Sequence, residues 1–114
     1  MTAKALIKDP LDRLNELERA FTLVLRERLL TGEIKRWDIH PEKLRLADDT
    51  YYIPDFRVVT ADNTIEFYET KGFMRQHSAV KLKVAAELHP YRFFLVYRKR
   101  VKDGGGWDIT EVCA

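Results

Sequence analysis

The chain has a single cysteine, Cys113, among its 114 residues. That excludes an internal disulfide and a zinc site built from cysteines. No apolar run is long enough to span a bilayer, so no membrane role is expected. The opening stretch, MTAKALIKDPLDRLNE, lacks an apolar signal core followed by a small-residue cleavage site. This predicts a cytosolic protein. Repeats, low-complexity segments and linkers are also missing, so residues 1–114 are expected to form one domain. Neither sign of charge dominates: 20 Lys and Arg face 18 Asp and Glu, a net of +2. Such a balance permits a polyanionic partner without arguing for one, and the distribution of charge matters more. The three histidines, His40, His77 and His89, have no metal-ligand spacing and read as surface or capping residues. Glycines 104–106 lie between two strand-like runs with no helix after them. They read as a hairpin turn rather than a phosphate cradle.

What is present is the pattern of a globular chain, with 46% hydrophobic and 33% charged residues. Residues 10–31 read as an amphipathic helix, with Asp9 as N-cap and Pro10 in the first turn. Leu14, Leu17, Phe21, Val24, Leu25 and Leu29 recur at helical spacing, and Gly32 stops the helix after Thr31. A short strand follows at LRLA, turned by ADD. YYIPDFRVVT and TIEFYETKG are joined by ADN and read as an antiparallel hairpin. A second helix is predicted over 77–90, with Val80, Val84 and Leu88 on one face, Ala85 beside them and Pro90 closing it. YRFFLVYRKRV is apolar enough for a central strand, and WDITEV returns as the last one. Trp37 and Trp107 read as core or interface residues. The predicted class is α/β, a mixed central sheet flanked by helices in the order α-β-β-β-α-β-β. The strand–helix–strand unit across 65–99 supplies the parallel pair.

Two features of the hairpin stand out. Pro and Asp interrupt the first strand at Pro54 and Asp55, where both are disfavoured. The second strand ends Glu69, Thr70, Lys71, with Glu69 and Lys71 on the same face as Ile65 and Phe67. That face runs apolar, apolar, acidic, basic, so its charged half belongs at the sheet's end or in a cleft. Glu66 has the opposite parity and is not expected to join the site. Carboxylates at Asp55 and Glu69 would repel each other unless a divalent cation sat between them. Their oxygen donors suit Mg²⁺ or Mn²⁺. A lysine beside them can stabilise a phosphoryl oxygen or orient a water. Together such groups can perform metal-assisted phosphodiester hydrolysis.

At these residues the chain resembles the PD-(D/E)xK nuclease superfamily. Pro54-Asp55 matches the first half of its signature, and Glu69-Thr70-Lys71 matches the acidic-x-Lys triplet. The likeness extends over roughly residues 10 to 99. It is greatest to small phage-type endonucleases and Holliday-junction resolvases, and it includes Gly72 and a lysine-bearing helix after the triplet. The resemblance implies a mixed sheet flanked by helices, with Asp55 bridging the metal or metals and Glu69 as second ligand. It implies that the Thr70 carbonyl completes the shell and that Lys71 positions or activates the attacking water. A further acidic residue from the first helix is also implied, and Glu16, Glu18 and Glu27 are available. Glu18 lies on the apolar stripe with Leu14, Phe21 and Leu25, so helix phase selects it. Lys81 resembles an additional basic residue of related enzymes, with Lys83 as its rival.

Basic residues elsewhere suit phosphate contacts: Arg75 after the triplet, and Arg98, Lys99 and Arg100 in RKRVK. The expected function is a Mg²⁺- or Mn²⁺-dependent DNA endonuclease of phage or prophage type, acting on branched or recombination-intermediate DNA. A homodimer is expected, because symmetric two-strand cutting needs two sites. No organic cofactor is expected. The alternatives are a non-catalytic nucleic-acid-binding or assembly module on the same fold, and a restriction or repair nuclease for linear or flapped DNA.

Overall fold

A computed structural model describes residues 10–72 and 76–113. Pro10–Arg13 form a short 3₁₀ turn, and helix α1 spans Glu16–Leu30. The helix therefore begins later than expected, and its N-cap is Asn15; Asp9 lies outside the described residues. The reason is a reciprocal cap. The Asn15 side chain accepts from the Glu18 N–H at 2.7 Å, and Glu18 Oε1 accepts from the Asn15 N–H at 3.0 Å. Two of the otherwise orphaned amides at the helix start are satisfied in this way. Leu14, Phe21 and Leu25 are buried as the stripe predicts, whereas Leu29 is exposed.

Strand β1, Ile34–Ile39, was not anticipated. Strands β2, Leu44–Ala47, and β3, Thr50–Tyr52, pair antiparallel as a separate ribbon. Strand β4 covers Phe56–Thr60 and β5 covers Ile65–Lys71. The run expected as one strand over 51–60 is thus two, divided at Ile53–Asp55. Pro54 has no amide to give a ladder and fixes its own φ, which ends pairing there. Helix α2 spans Gln76–Leu88, strand β6 Arg92–Arg98 and strand β7 Trp107–Val112. The observed order is α-β-β-β-β-β-α-β-β, which corrects the shorter order expected. The main sheet runs β1-β4-β5-β6-β7, with β5 and β6 parallel and the other pairs antiparallel. It is an α/β domain with a mixed five-stranded sheet and two helices.

Each face of that sheet has its own core. On one side Phe21 of α1 packs with Phe56, Tyr68 and Trp107 at ring distances of 5.2–5.8 Å. Ile34, Val58 and Val96 complete that layer, and Trp37 packs against it. On the other side Leu82 and Ala85 of α2 bury against Phe67, Phe93 and Leu95, together with Leu44 and Tyr52 of the ribbon. The expected apolar face of α2 is corrected in part by this packing: Ala85 is buried as expected, but Val80 and Leu88 are exposed and Leu82 takes their place. His89 Nε2 lies 2.9 Å from the Arg45 carbonyl oxygen, which ties the end of α2 to the ribbon. Gly104, Gly105 and Gly106 all adopt left-handed backbone between a short 3₁₀ turn, Val101–Asp103, and β7. The segment is a turn with no helix after it. Among the described residues no helix is long and apolar enough to cross a membrane.

Candidate metal centre

Strand polarity brings the charged residues to one end of the sheet. β4 runs antiparallel to both β1 and β5, so the start of β4 meets the ends of the other two. Asp55 immediately precedes β4, Thr70 and Lys71 close β5, and His40 immediately follows β1. The N-terminal turn of α1 adds Glu18.

Asp55 is the hub. Its Oδ2 accepts from the Thr70 N–H at 2.8 Å and from Thr70 Oγ1 at 3.0 Å. Strand pairing between β4 and β5 ends at Phe56 and Tyr68. Beyond that point the Asp55 side chain takes up an amide that the ladder leaves free. Burial and the neighbouring carboxylates Glu69 and Glu18 push the Asp55 carboxyl up to about 8. Burial is the largest influence, followed by the charge of Glu69 and a hydrogen bond shared with the Glu18 carboxyl. The Thr70 amide pulls the other way without prevailing.

Glu69 lies on the opposite sheet face from Thr70 and is buried. The Tyr52 hydroxyl donates to its Oε1 at 2.7 Å, and Lys71 Nζ stands 3.0 Å from its Oε2. Burial, and then the charge of Glu69, push the Tyr52 phenol well above its ordinary range, so it remains a donor. The shared face expected for Glu69 and Lys71 is what brings them together. Glu18 is also buried, one oxygen serving the helix cap and the other 3.6 Å from His40 Nε2.

One ligand atom each from Glu18, His40 and Asp55 lies within 4.8 Å of the others. These carboxylate and imidazole donors fit a divalent cation. His40 was not expected here. It is half-buried with its ring toward the carboxylates, which corrects its reading as a surface or capping residue. Its own neighbours in sequence carry no sign of this, because the contact depends on how β1 registers against β4.

The remaining sequence candidates are more dispersed. Arg98, the last residue of β6, and Lys99 and Arg100 just past it are exposed; the parallel pairing of β6 sets Tyr97 beside Lys71. They therefore lie at the same end of the sheet as Asp55. Arg98 covers the Trp107 ring at 5.4 Å, and Arg100 pairs with Asp103 at 3.0 Å. Lys81 and Lys83 are exposed on α2, and Arg75 lies outside the described residues. Glu66 points away from Glu69, as its parity requires, into a cluster with Arg28, Tyr68 and Arg92. Comparison of the chain with protein-family models, curated proteins and solved structures finds no match.

Proposed function

We propose that the protein is a divalent-metal-dependent DNA endonuclease of the PD-(D/E)xK kind that its sequence resembles. One observation carries this reading. Asp55, its carboxyl held by Thr70, is within electrostatic reach of Glu18 and Glu69, while Lys71 sits on Glu69. Buried carboxylates at this density cost free energy unless something positive offsets them. Lys71 offsets part of it, and a cation would offset the rest. Asp55 and Glu69 would hold that cation, with Glu18 and the Thr70 carbonyl as further oxygen donors. When bound, it would polarise a phosphodiester and acidify a water.

The chain's own groups have distinct tasks in this reading. The Lys71 ammonium is only part-buried, so it can turn from Glu69 toward a phosphoryl oxygen or a water. Tyr52 keeps Glu69 aimed by donating to one oxygen only, leaving the other for Lys71 or a cation. Arg98, Lys99 and Arg100 lie where flanking phosphates would pass, with Lys81 and Lys83 as outlying contacts. A homodimer would supply the two sites that cutting both strands requires.

The test is cleavage of supercoiled plasmid, linear duplex, a four-way junction and single-stranded DNA, with Mg²⁺, Mn²⁺ or EDTA. Metal-dependent cutting lost in Asp55→Ala and Lys71→Ala supports the reading, and the preferred substrate names the subclass. DNA binding by folded protein with no cutting in any lane would replace it with a non-catalytic DNA-binding module.

A further inference from the structure

We propose that His40 is a nitrogen ligand of the cation site, beside Glu18 and Asp55, and that the site therefore selects Mn²⁺ over Mg²⁺. This rests on reading the site as a divalent-cation centre, and it adds both a ligand and a metal preference.

The geometry of His40 carries the inference. The residue turns the chain out of β1 with φ 37°, in the left-handed region that non-glycine residues seldom occupy. Two devices hold it there. Its N–H donates to the Asp55 carbonyl at 2.9 Å. Arg57 grips Asp38 and Glu42, two residues to either side of His40, at 2.9 Å each. The turn is thus fastened to the same segment that carries Asp55. It presents Nε2 to Glu18 Oε2 at 3.6 Å. That separation is too long for a hydrogen bond. One ligand atom each from His40, Glu18 and Asp55 lies within 4.8 Å of the others. Donors bound roughly 2.0–2.3 Å from one ion lie about 3–4.6 Å apart, so the spacing suits a shared cation.

Donor chemistry sets the preference. Mg²⁺ takes oxygen donors and parts reluctantly with its water. Imidazole favours first-row transition ions, and Mn²⁺ accepts both imidazole and carboxylate. A site that adds an imidazole nitrogen to its oxygen donors should therefore hold Mn²⁺ in preference to Mg²⁺.

The experiment is titration of the whole chain with Mn²⁺ alone and Mg²⁺ alone. Nitrogen couplings of bound Mn²⁺ would be read by pulsed electron paramagnetic resonance, in protein with and without ¹⁵N-histidine. Wild type, His40→Ala and His40→Gln are compared, each shown folded by circular dichroism. The expected result is a ¹⁵N-sensitive coupling in the wild type that both variants lose. Mn²⁺ affinity should fall by roughly 10–100-fold in the variants, while Mg²⁺ affinity changes far less. Mn²⁺ bound without histidine coupling, with unchanged affinity in His40→Ala, would overturn the ligand role and leave the nuclease reading standing. No binding of either ion to folded protein would overturn both.

Discussion

Strand β5 buries two glutamates three residues apart, and the protein treats them in opposite ways. Glu66 is 5% exposed and Glu69 8%, so both pay a desolvation cost. Around Glu66 that cost is met with arginine. Arg92 Nη1 stands 3.3 Å from it and Arg28 Nη2 3.9 Å, and the Tyr68 hydroxyl donates at 2.8 Å. Arg28 also pairs with Glu33, and Arg92 with Glu111 at 2.8 Å. Acidic and basic groups there close a network among themselves. At the other end Glu69, Asp55 and Glu18 share one lysine and one histidine. At the first end every glutamate has an arginine partner. At the second, Asp55 and Glu18 have no arginine or lysine partner among the described residues, and burial with neighbouring carboxylates pushes Asp55 toward its protonated form. A closed network serves the fold, and in the function proposed above the open one receives a cation.

Substitution can break this contrast. The largest effect is expected at the open end: Asp55→Asn and Lys71→Ala should each lower metal-dependent DNA cleavage by roughly 10³-fold. Melting temperatures measured alongside should show both variants folded, and a variant that cuts like the wild type would remove that residue from the site. Glu66→Gln should do the reverse. It leaves Arg28 and Arg92 short of a partner and should cost about 2 kcal/mol of stability by urea unfolding, discounted for the exposure of Arg92. Its Mn²⁺ affinity should match the wild type; a loss there would mean that the two ends are coupled.

pH sharpens the same comparison. The Asp55 carboxyl holds its proton more tightly folded than unfolded, rising from 3.8 to about 8. Between those values the folded state binds more protons, so stability falls as pH rises. Metal-free protein should therefore melt about 5 °C or more lower at the upper end of this window than at the lower, and Asp55→Asn should flatten the slope. The smallest effect is expected from Asn15→Ala, which removes half of the reciprocal cap and should cost about 1 kcal/mol. It also frees the Glu18 backbone amide, so a modest drop in Mn²⁺ affinity should accompany it in calorimetric titration.

The sequence revealed what depends on local period. Glu69 and Lys71 share a face because strands alternate, and Glu18 falls on the buried stripe because helices repeat. The parallel crossover through α2 and the final strand were legible for the same reason. β1 escaped because its register shifts between Ile34 and Arg36, which leaves apolar residues at 34, 37 and 39 rather than in simple alternation. α2 misled because apolar residues stand on several of its faces, and only packing against Phe67 and Phe93 decides which is buried. His40 was illegible for a deeper reason. Its place beside Glu18 and Asp55 is a product of strand pairing across long sequence separations, and no local period encodes it.

The Thr70 amide is held by a side chain fifteen residues earlier in the sequence, at the point where the strands stop pairing. Its hydrogen-bond acceptor is therefore a titratable oxygen rather than a fixed carbonyl. One backbone proton becomes a built-in spectator of the centre. Its nuclear resonance should move whenever Asp55 gains or loses a proton or a cation, with no label introduced and no catalysis required.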